Sequence, residues 1–201
     1  MTATVKMRIH PLTWHPYIEP VALETASEEQ RAAMQVTPSN TRISPYVRTL
    51  AHDPQSYVAR TRLFNAIMYD AGGLTRELRE LGALIASVVN GCAYCGSVHA
   101  RRYLELSGRH DVVCLIYTRG LDARFDARTQ AVVDFCRALS QSPATVTAVQ
   151  VQALRDAGFS REEILDLIHA AAIFGWANRL MHTLGHAEKT ASPRGSVTTG
   201  S

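Results

Sequence analysis

The sequence predicts an all-α protein, and three observations lead to this fold class. Apolar residues recur at helical spacing through most of residues 53–184. Capping residues and Gly or Pro breakers mark where the helical segments begin and end. The alternation expected of a half-buried strand is missing, and the β-branched segment 146–151 runs directly into a helical pattern. With 201 residues, 46% of them hydrophobic and 19% charged, the chain is long enough for one domain with its own core.

The beginning of the chain is predicted to be an arm followed by one short helix. Residues 1–26 contain three prolines and no periodicity, which predicts an extended, Pro-rich arm. Ser27-Glu-Glu-Gln30 has the pattern of a capping box and predicts a helix to about Val36. Residues 37–45, with two more prolines, are predicted to form a loop. We therefore assign residues 1–43 to an N-terminal arm and short helix.

The rest of the chain predicts a series of helices. The predicted segments are 53–70, 75–89, 92–107, 111–118, 126–140, 147–157 and 160–184. Asp53-Pro54 starts the first, Asn90-Gly91 ends the second, and Ser160-Arg-Glu-Glu163 is another capping box. Residues 44–188 are thus assigned to one helical domain. Residues 189–201, which are polar and rich in Ser, Thr and Gly, are predicted to be disordered.

Composition and the last helix indicate which partners and which compartment to expect. The net charge of +3, with no basic stripe, argues against nucleic acid. The longest apolar stretch, Ile164–Trp176, is interrupted by Asp166 and His169, so it is too short and too polar to span a bilayer. Lys6 and Arg8 are not followed by the apolar core of a signal peptide, and we expect a cytoplasmic protein. Because its last helix is apolar on most sides, we expect it to be buried in the core or in a homo-oligomer interface.

The most informative segment is Cys92-Ala-Tyr-Cys95-Gly-Ser-Val-His99, which has the pattern C-x-x-C-x-x-x-H at the start of a helix. The three side chains fall within about 60° of one helix face. The helix N-terminus and His99 can each lower a cysteine pKa, because the thiolate form is favoured by nearby positive charge and by a proton acceptor. Cys92 is expected to be the more accessible sulfur, and Cys95 lies one turn deeper beside His99. This arrangement predicts a cycle in which Cys95 attacks a peroxide and becomes a sulfenic acid, Cys92 condenses with it to a disulfide, and an external dithiol restores both.

Several alternatives stay open at this point. An acid that orients His99 is available at Glu77 or at Glu80 on the preceding helix, and spacing alone does not separate them. The dithiol and His99 provide three ligands of a zinc site whose fourth ligand would be remote. A thioredoxin-like site is disfavoured because no βαβ pattern flanks the motif. Cys114 and Cys136 have apolar neighbours, which favours small buried core residues.

The motif also resembles that of a known family. One pattern in the sequence is similar to the signature of the alkylhydroperoxidase D-like group within the carboxymuconolactone decarboxylase family. It consists of Glu80, eleven intervening residues, Cys92-x-x-Cys95 and then His99. The resemblance covers about residues 40–187 and extends to its peroxidase-related branch. The further segments that carry it are Ser44-Pro-Tyr-Val-Arg-Thr-Leu50, Phe64-Asn-Ala-Ile-Met68, Arg79-Glu-Leu81 and Phe174-Gly-Trp-Ala-Asn-Arg179.

The resemblance implies an all-helical fold, homo-oligomers and thiol peroxidase activity. It implies that Cys95 is the peroxidatic and Cys92 the resolving cysteine, and that His99 and Glu80, rather than Glu77, form the proton relay. Tyr94 stands where the best-studied members have a histidine. Lactone decarboxylation is disfavoured, because decarboxylase members lack the paired cysteines.

The prediction is therefore a thiol-dependent peroxidase without cofactor or metal, which reduces hydrogen peroxide or organic hydroperoxides and is regenerated by an external dithiol or protein reductant. The alternatives are a dithiol oxidoreductase or redox sensor with little peroxidase turnover, and a non-enzymatic helical oligomer. In the last helix, Asn178, Arg179 and His182 are predicted to satisfy buried contacts, although His182 or Trp176 can also line a pocket above the cysteines.

Overall fold

A computed structural model describes residues 9–35 and 43–189. Within these ranges the chain is mainly α-helical, with one 3-10 turn at Gly120–Asp122 and one small sheet. The helices are α1 (Glu28–Met34), α2 (Pro45–Leu50), α3 (Pro54–Tyr69), α4 (Arg76–Val89), α5 (Ala93–Ser107), α6 (His110–Arg119), α7 (Ala127–Ser140), α8 (Ala148–Asp156) and α9 (Arg161–Leu184). The predicted all-α class is confirmed, as is the helical assignment of the β-branched segment that enters α8.

The helix ends follow the capping residues that predicted them. Ser27 and Ser160 form capping boxes with the third residue of α1 and α9. Asp53 accepts the Ser56 N–H at the start of α3, with proline in the first turn. One boundary was wrong: Pro45 does not end a loop but begins α2, whose N-cap Ser44 accepts the Val47 N–H. The remaining residues of the predicted loop, apart from 43 and 44, lie outside the described ranges.

The core is built around α4. Leu81, Leu84 and Ile85 are fully buried there, and α4 packs mainly against α5, α7 and α9. A separate apolar cluster joins α1, α2 and the start of α3. Helix α9 buries one long side, but Trp176 on it remains 45% exposed. The core therefore covers only one side of α9, whereas the sequence predicted a helix buried in the core or in a homo-oligomer interface.

The N-terminal arm contains a strand that sequence analysis missed. Strand β1 (Leu12–Pro16) pairs antiparallel with β2 (Gly185–Lys189), with Trp14 opposite Ala187. The Trp14 indole N–H donates to the Met181 carbonyl at 3.2 Å, so the arm is fastened to the end of α9. The paired strands reach the start of the predicted tail, whose residues 190–201 lie outside the described ranges. The assignment of the arm, the helical domain and the tail as separate units stays a prediction.

In the described ranges, none of the helices combines the length and the apolar character that a membrane crossing requires.

Candidate active site

The candidate site lies where α4 turns into α5. Gly91 has a φ of 69°, a conformation that favours glycine, and it lets the chain reverse within a few residues. Cys92 then becomes the N-cap residue of α5, with its own N–H bonded to the Ser87 carbonyl at 2.8 Å. The tight reversal makes α4 and α5 close neighbours, so that side chains of α4 face the first two turns of α5.

The two cysteines are free thiols whose side chains hydrogen-bond to each other. The hydrogen bond from Cys95 is the main cause that lowers the pKa of Cys92, and it outweighs the opposing effect of burial. The backbone N–H groups of Cys95 and Tyr94 and the Asn178 amide act in the same direction. The same hydrogen bond and burial raise the pKa of Cys95 well above its ordinary value. Of the two thiols, Cys92 therefore loses its proton more readily than Cys95.

The expected order of accessibility is wrong. Cys92 is 2% exposed and Cys95 is 7% exposed, so neither is open and Cys92 is not the more accessible sulfur. The reason is β1, whose Trp14 packs against the dithiol together with Met181. The prediction treated the arm as an extended segment with no assigned contact, and it therefore did not place this cover over Cys92.

Glu80 and His99 form a buried pair. Glu80 is fully buried on α4, and His99 Nδ1 donates to its Oε2 at 2.5 Å. Arg76, one turn earlier, donates to the other carboxylate oxygen through Nε at 2.9 Å. Burial alone raises the pKa of Glu80, but His99 and Arg76 together lower it from 4.5 to about 2. The carboxylate thus stays charged at neutral pH and can stabilise a protonated His99.

The choice between the two candidate acids follows from this contact. Glu80 lies against His99, whereas Glu77 lines a different cavity with Tyr103 and Arg109. The His99 ring also packs edge-on against Phe174, with ring centroids 4.3 Å apart. Phe174 and Glu80 therefore hold the imidazole in one orientation.

Each sulfur borders its own cavity. A cavity of about 350 Å³ is lined by Cys95 and His99 together with aromatic and arginine side chains, among them Tyr46, Arg60, Phe64 and Phe174. A smaller cavity of about 220 Å³ is lined by Cys92, Trp14, Met181, His182 and His186. Tyr94 borders both cavities. The dithiol thus sits between two spaces rather than at the bottom of one.

Asn178 satisfies buried contacts, as predicted, but its contact with the two sulfurs was not predicted. Asn178 on α9 is fully buried, and its side chain donates to both sulfurs. Its Oδ1 accepts from the Asn90 amide at 3.0 Å, and its Nδ2 also lies 3.4 Å from Ser87 Oγ. A fully buried Asn in an apolar helix is the signal that identifies such a residue, because its amide must find partners.

Arg179 and His182 on α9 are both exposed, so the prediction that they satisfy buried contacts is wrong for these two residues. Arg179 donates to the Gly175 carbonyl on its own helix. His182 Nε2 contacts the Asn90 carbonyl at 3.3 Å and lines the Cys92 cavity. Trp176 is exposed and lines neither of the two cavities.

The remaining two cysteines differ from each other. Cys136 is fully buried, as predicted, and burial raises the pKa of its thiol. Cys114 is exposed, so the expectation of a core residue is wrong. Its neighbours Val112, Val113 and Ile116 form the inward face of α6, and the helical rotation places Cys114 outside that face. In the described part of the chain, His, Cys, Asp and Glu side chains are not grouped in threes that could hold a metal ion.

Comparison with known proteins shows a related family segment and a related fold. Residues 54–138 match the model of the Carboxymuconolactone decarboxylase family. A solved structure of an alkylhydroperoxidase AhpD core, an uncharacterized peroxidase-related protein from Ralstonia eutropha JMP134, is 27% identical, with a TM-score of 0.70 over 87% of this chain and 91% of that chain. No curated protein matches the chain.

Two further structures share the fold. An uncharacterized peroxidase-related protein from Silicibacter sp. TM1040 is 22% identical, with a TM-score of 0.69 over 85% of this chain and 93% of that chain. The debrominase Bmp8 is also 22% identical, with a TM-score of 0.72 over 90% of this chain and 95% of that chain. The resemblance inferred from the motif is confirmed: residues 54–138 match the model of the carboxymuconolactone decarboxylase family, and the fold is similar to that of an alkylhydroperoxidase core.

Proposed function

We propose that the protein is a thiol-dependent peroxidase that reduces hydroperoxides through a Cys92/Cys95 dithiol–disulfide cycle. The observation that carries the proposal is that Cys95 and the Glu80-bound His99 line one cavity, while Cys92 is hydrogen-bonded to Cys95 from the other side. Cys95 is the attacking sulfur because it shares the substrate-sized cavity with a base. Cys92 is the resolving sulfur because it already contacts the atom that it must attack.

In the first step, His99 takes the Cys95 proton through the cavity, and Glu80 stabilises the imidazolium that forms. The Cys95 thiolate then attacks the terminal oxygen of the hydroperoxide. The new S–O bond forms as the O–O bond breaks, and the departing alkoxide leaves as an alcohol with the proton from His99. Cys95 is now a sulfenic acid, and the peroxide has been reduced by two electrons.

In the second step, the Cys92 thiolate attacks the sulfenic sulfur. The S–S bond forms, and the S–O bond breaks to release hydroxide, which becomes water with a solvent proton. An external dithiol then attacks Cys92 from the smaller cavity and returns both thiols. The cytoplasm is the compartment we propose for this cycle, because it maintains such reductants. The exposed Trp176 on α9 supports the further proposal of a homo-oligomer.

The test begins with thiol counting by mass spectrometry after a mild peroxide treatment. We expect a loss of two thiols per chain, with a disulfide between Cys92 and Cys95. A Cys114→Ser background is the matched control, because Cys114 is an exposed thiol outside the site. Steady-state turnover with a lipoyl-bearing protein or with thioredoxin then separates a peroxidase from a redox sensor that is oxidised once and turns over slowly. Equal hydroperoxide reduction by Cys95→Ser and by the parent would disprove the assignment.

The aromatic walls of the Cys95 cavity favour a second candidate, reductive debromination of a flat aromatic compound. The debrominase Bmp8 shares the fold, and a cysteine-to-alanine variant of it was solved in complex with 2,3,4-tribromopyrrole. A dithiol can supply the two electrons: one sulfur takes the bromine, the ring carbon gains a proton, and disulfide formation releases bromide. Bromide release from a bromopyrrole, measured by ion chromatography, distinguishes this activity from peroxide reduction.

A further inference from the structure

Two hydrogen-bond donors in the Cys95 cavity lack an acceptor. The Tyr46 hydroxyl and the Arg60 Nε–H are both buried and have no hydrogen-bond partner among the described residues. Both side chains line the cavity that contains Cys95 and His99. Buried donors are almost always paired in folded proteins, since an unpaired one retains the full penalty of desolvation. Two unpaired donors in one cavity therefore indicate a ligand that brings acceptor oxygens.

The charge of Arg60 indicates the kind of oxygen. In the described ranges no carboxylate lies within ion-pair distance of Arg60, although Arg76 and Arg102 both face Glu80. The Arg60 guanidinium instead packs over the Phe64 ring, 4.6 Å from its centroid. Arg101 and Arg102 also border the cavity, against a single exposed acid at Glu105, so positive charge is in excess. A half-buried arginine with a buried, unpaired Nε–H and no acid beside it favours an anionic ligand oxygen.

Tyr46 is suited to the same ligand. Burial raises the pKa of Tyr46 far above its ordinary value, so its hydroxyl stays protonated and able to donate. Arg60 and Cys95 each act electrostatically on Tyr46, and Arg60 also acts on Cys95, so the three groups surround a common space. A group bound by Tyr46 and Arg60 is therefore within the length of one small molecule of the reacting sulfur.

The size and walls of the cavity indicate the rest of the ligand. A volume of about 350 Å³ falls within the range of small-molecule sites. Hydrogen peroxide is little larger than a water molecule, which takes up about 30 Å³, so it would leave most of this space unfilled. Phe64 and Phe174 provide apolar wall area on the way to His99, with their rings 5.6 Å apart. These walls fit an aryl or alkyl body.

We propose that the Cys95 cavity binds an organic acid, with its carboxylate held by Arg60 and Tyr46 and its apolar body against Phe64 and Phe174. Building on the proposed function, the substrate is then a carboxylate-bearing organic hydroperoxide rather than hydrogen peroxide. The carboxylate occupies the two unpaired donors, and the hydroperoxide group at the other end reaches Cys95.

The first experiment measures binding without any turnover. Isothermal titration calorimetry compares phenylbutanoate with its uncharged amide on the full chain. We expect the acid to bind at least about tenfold more tightly than the amide, and Arg60→Gln to remove this preference. Tyr46→Phe weakens acid binding in the same direction, and Arg60→Lys, which keeps the charge, weakens it less. Arg124→Gln, the loss of an exposed arginine outside the cavity, is the matched control and retains the preference.

The second experiment measures kcat/KM for a hydroperoxide of an organic acid and for its methyl ester. The ratio of the two values is expected to favour the acid and to fall by about tenfold in Arg60→Gln. Equal binding of acid and amide, or a preference that survives Arg60→Gln, overturns the proposal even if peroxides are reduced. Binding that depends on Arg60 with no peroxide turnover supports the carboxylate site and overturns the peroxidase assignment instead. An equal loss with acid, ester and hydrogen peroxide shows that the two donors bind the peroxide group, and this also overturns the carboxylate site.

Discussion

The buried Glu80 carboxylate gives the sharpest test of the site. Glu80→Gln keeps the size of the side chain but removes its charge. The amide can still accept the His99 N–H through its oxygen, whereas its NH₂ group then faces the Arg76 guanidinium. The variant therefore leaves the Arg76 guanidinium and the His99 N–H facing a buried group that no longer carries a negative charge.

The size of the expected loss of stability follows from the pKa of the Glu80 carboxyl. The Glu80 pKa falls from 4.5 to about 2, a difference of about 2.5 units, which corresponds to about 3 kcal/mol at 1.36 kcal/mol per unit. Because the folded-state pKa is depressed, this stability is fully present above pH 4.5, and it is lost as the pH falls through the folded-state value. Glu80→Gln should lack the contribution at every pH.

The measurement is urea unfolding of the parent and Glu80→Gln from neutral pH downward. At neutral pH we expect the variant to be less stable by about 3 kcal/mol, with the two curves converging as the pH approaches the folded-state pKa. Glu77→Gln is the matched control, since it removes a half-buried glutamate from the first turn of the same helix. Parallel curves, or an equal effect of Glu77→Gln, would refute the role of the Arg76–Glu80–His99 contacts.

Three further changes test other contacts of the site. Asn178→Leu removes an amide that donates to both sulfurs, so the pKa of Cys92 should rise, which alkylation rates as a function of pH will detect; an unchanged titration would contradict this. Trp14→Ala uncovers the smaller cavity, so Cys92 should be alkylated faster while stability falls by about 3–5 kcal/mol. A Cys92 rate equal to that of the parent would show that β1 does not cover the sulfur. Arg79→Met breaks a buried contact with Asp166 at 3.1 Å and should cost about 3–5 kcal/mol in thermal or urea unfolding; a loss below about 0.5 kcal/mol, typical of a surface substitution, would refute it.

Much of the helical framework was predictable because its signals are local. The capping boxes at Ser27 and Ser160 and the Asn90-Gly91 turn each act within a few residues of the boundary that they set. The placement of Glu80 near His99 followed from the resemblance, and the packing of α4 on α5 explains it physically. A motif within one helical hairpin is therefore the kind of site that sequence analysis locates well.

The missed features depend on contacts between distant parts of the chain. Strand β1 lies 169 residues from its partner at the closest pair, Pro16 with Gly185, and neither five-residue strand has a periodicity of its own. Asn178 reaches the dithiol from α9, and Tyr46 and Arg60 reach the cavity from α2 and α3. For these residues the local sequence determines that they lie in a helix, but it does not determine which residue faces them across the cavity. Their roles therefore appear only when the helices are packed.

The sulfur with the lowered pKa, Cys92, is not the one that borders the larger of the two cavities, and this difference supports the direction of the proposed cycle. If Cys92 attacked the substrate, the peroxide would enter the smaller cavity under Trp14, and the Glu80-bound His99 would border the wrong space. With Cys95 as the attacking sulfur, the base, the unpaired donors and the larger cavity all lie on the same side. The proton that Cys95 gives up is the one that stabilises the Cys92 thiolate. Its removal therefore activates Cys95 and, by withdrawing that stabilisation, makes Cys92 a stronger nucleophile for the second step.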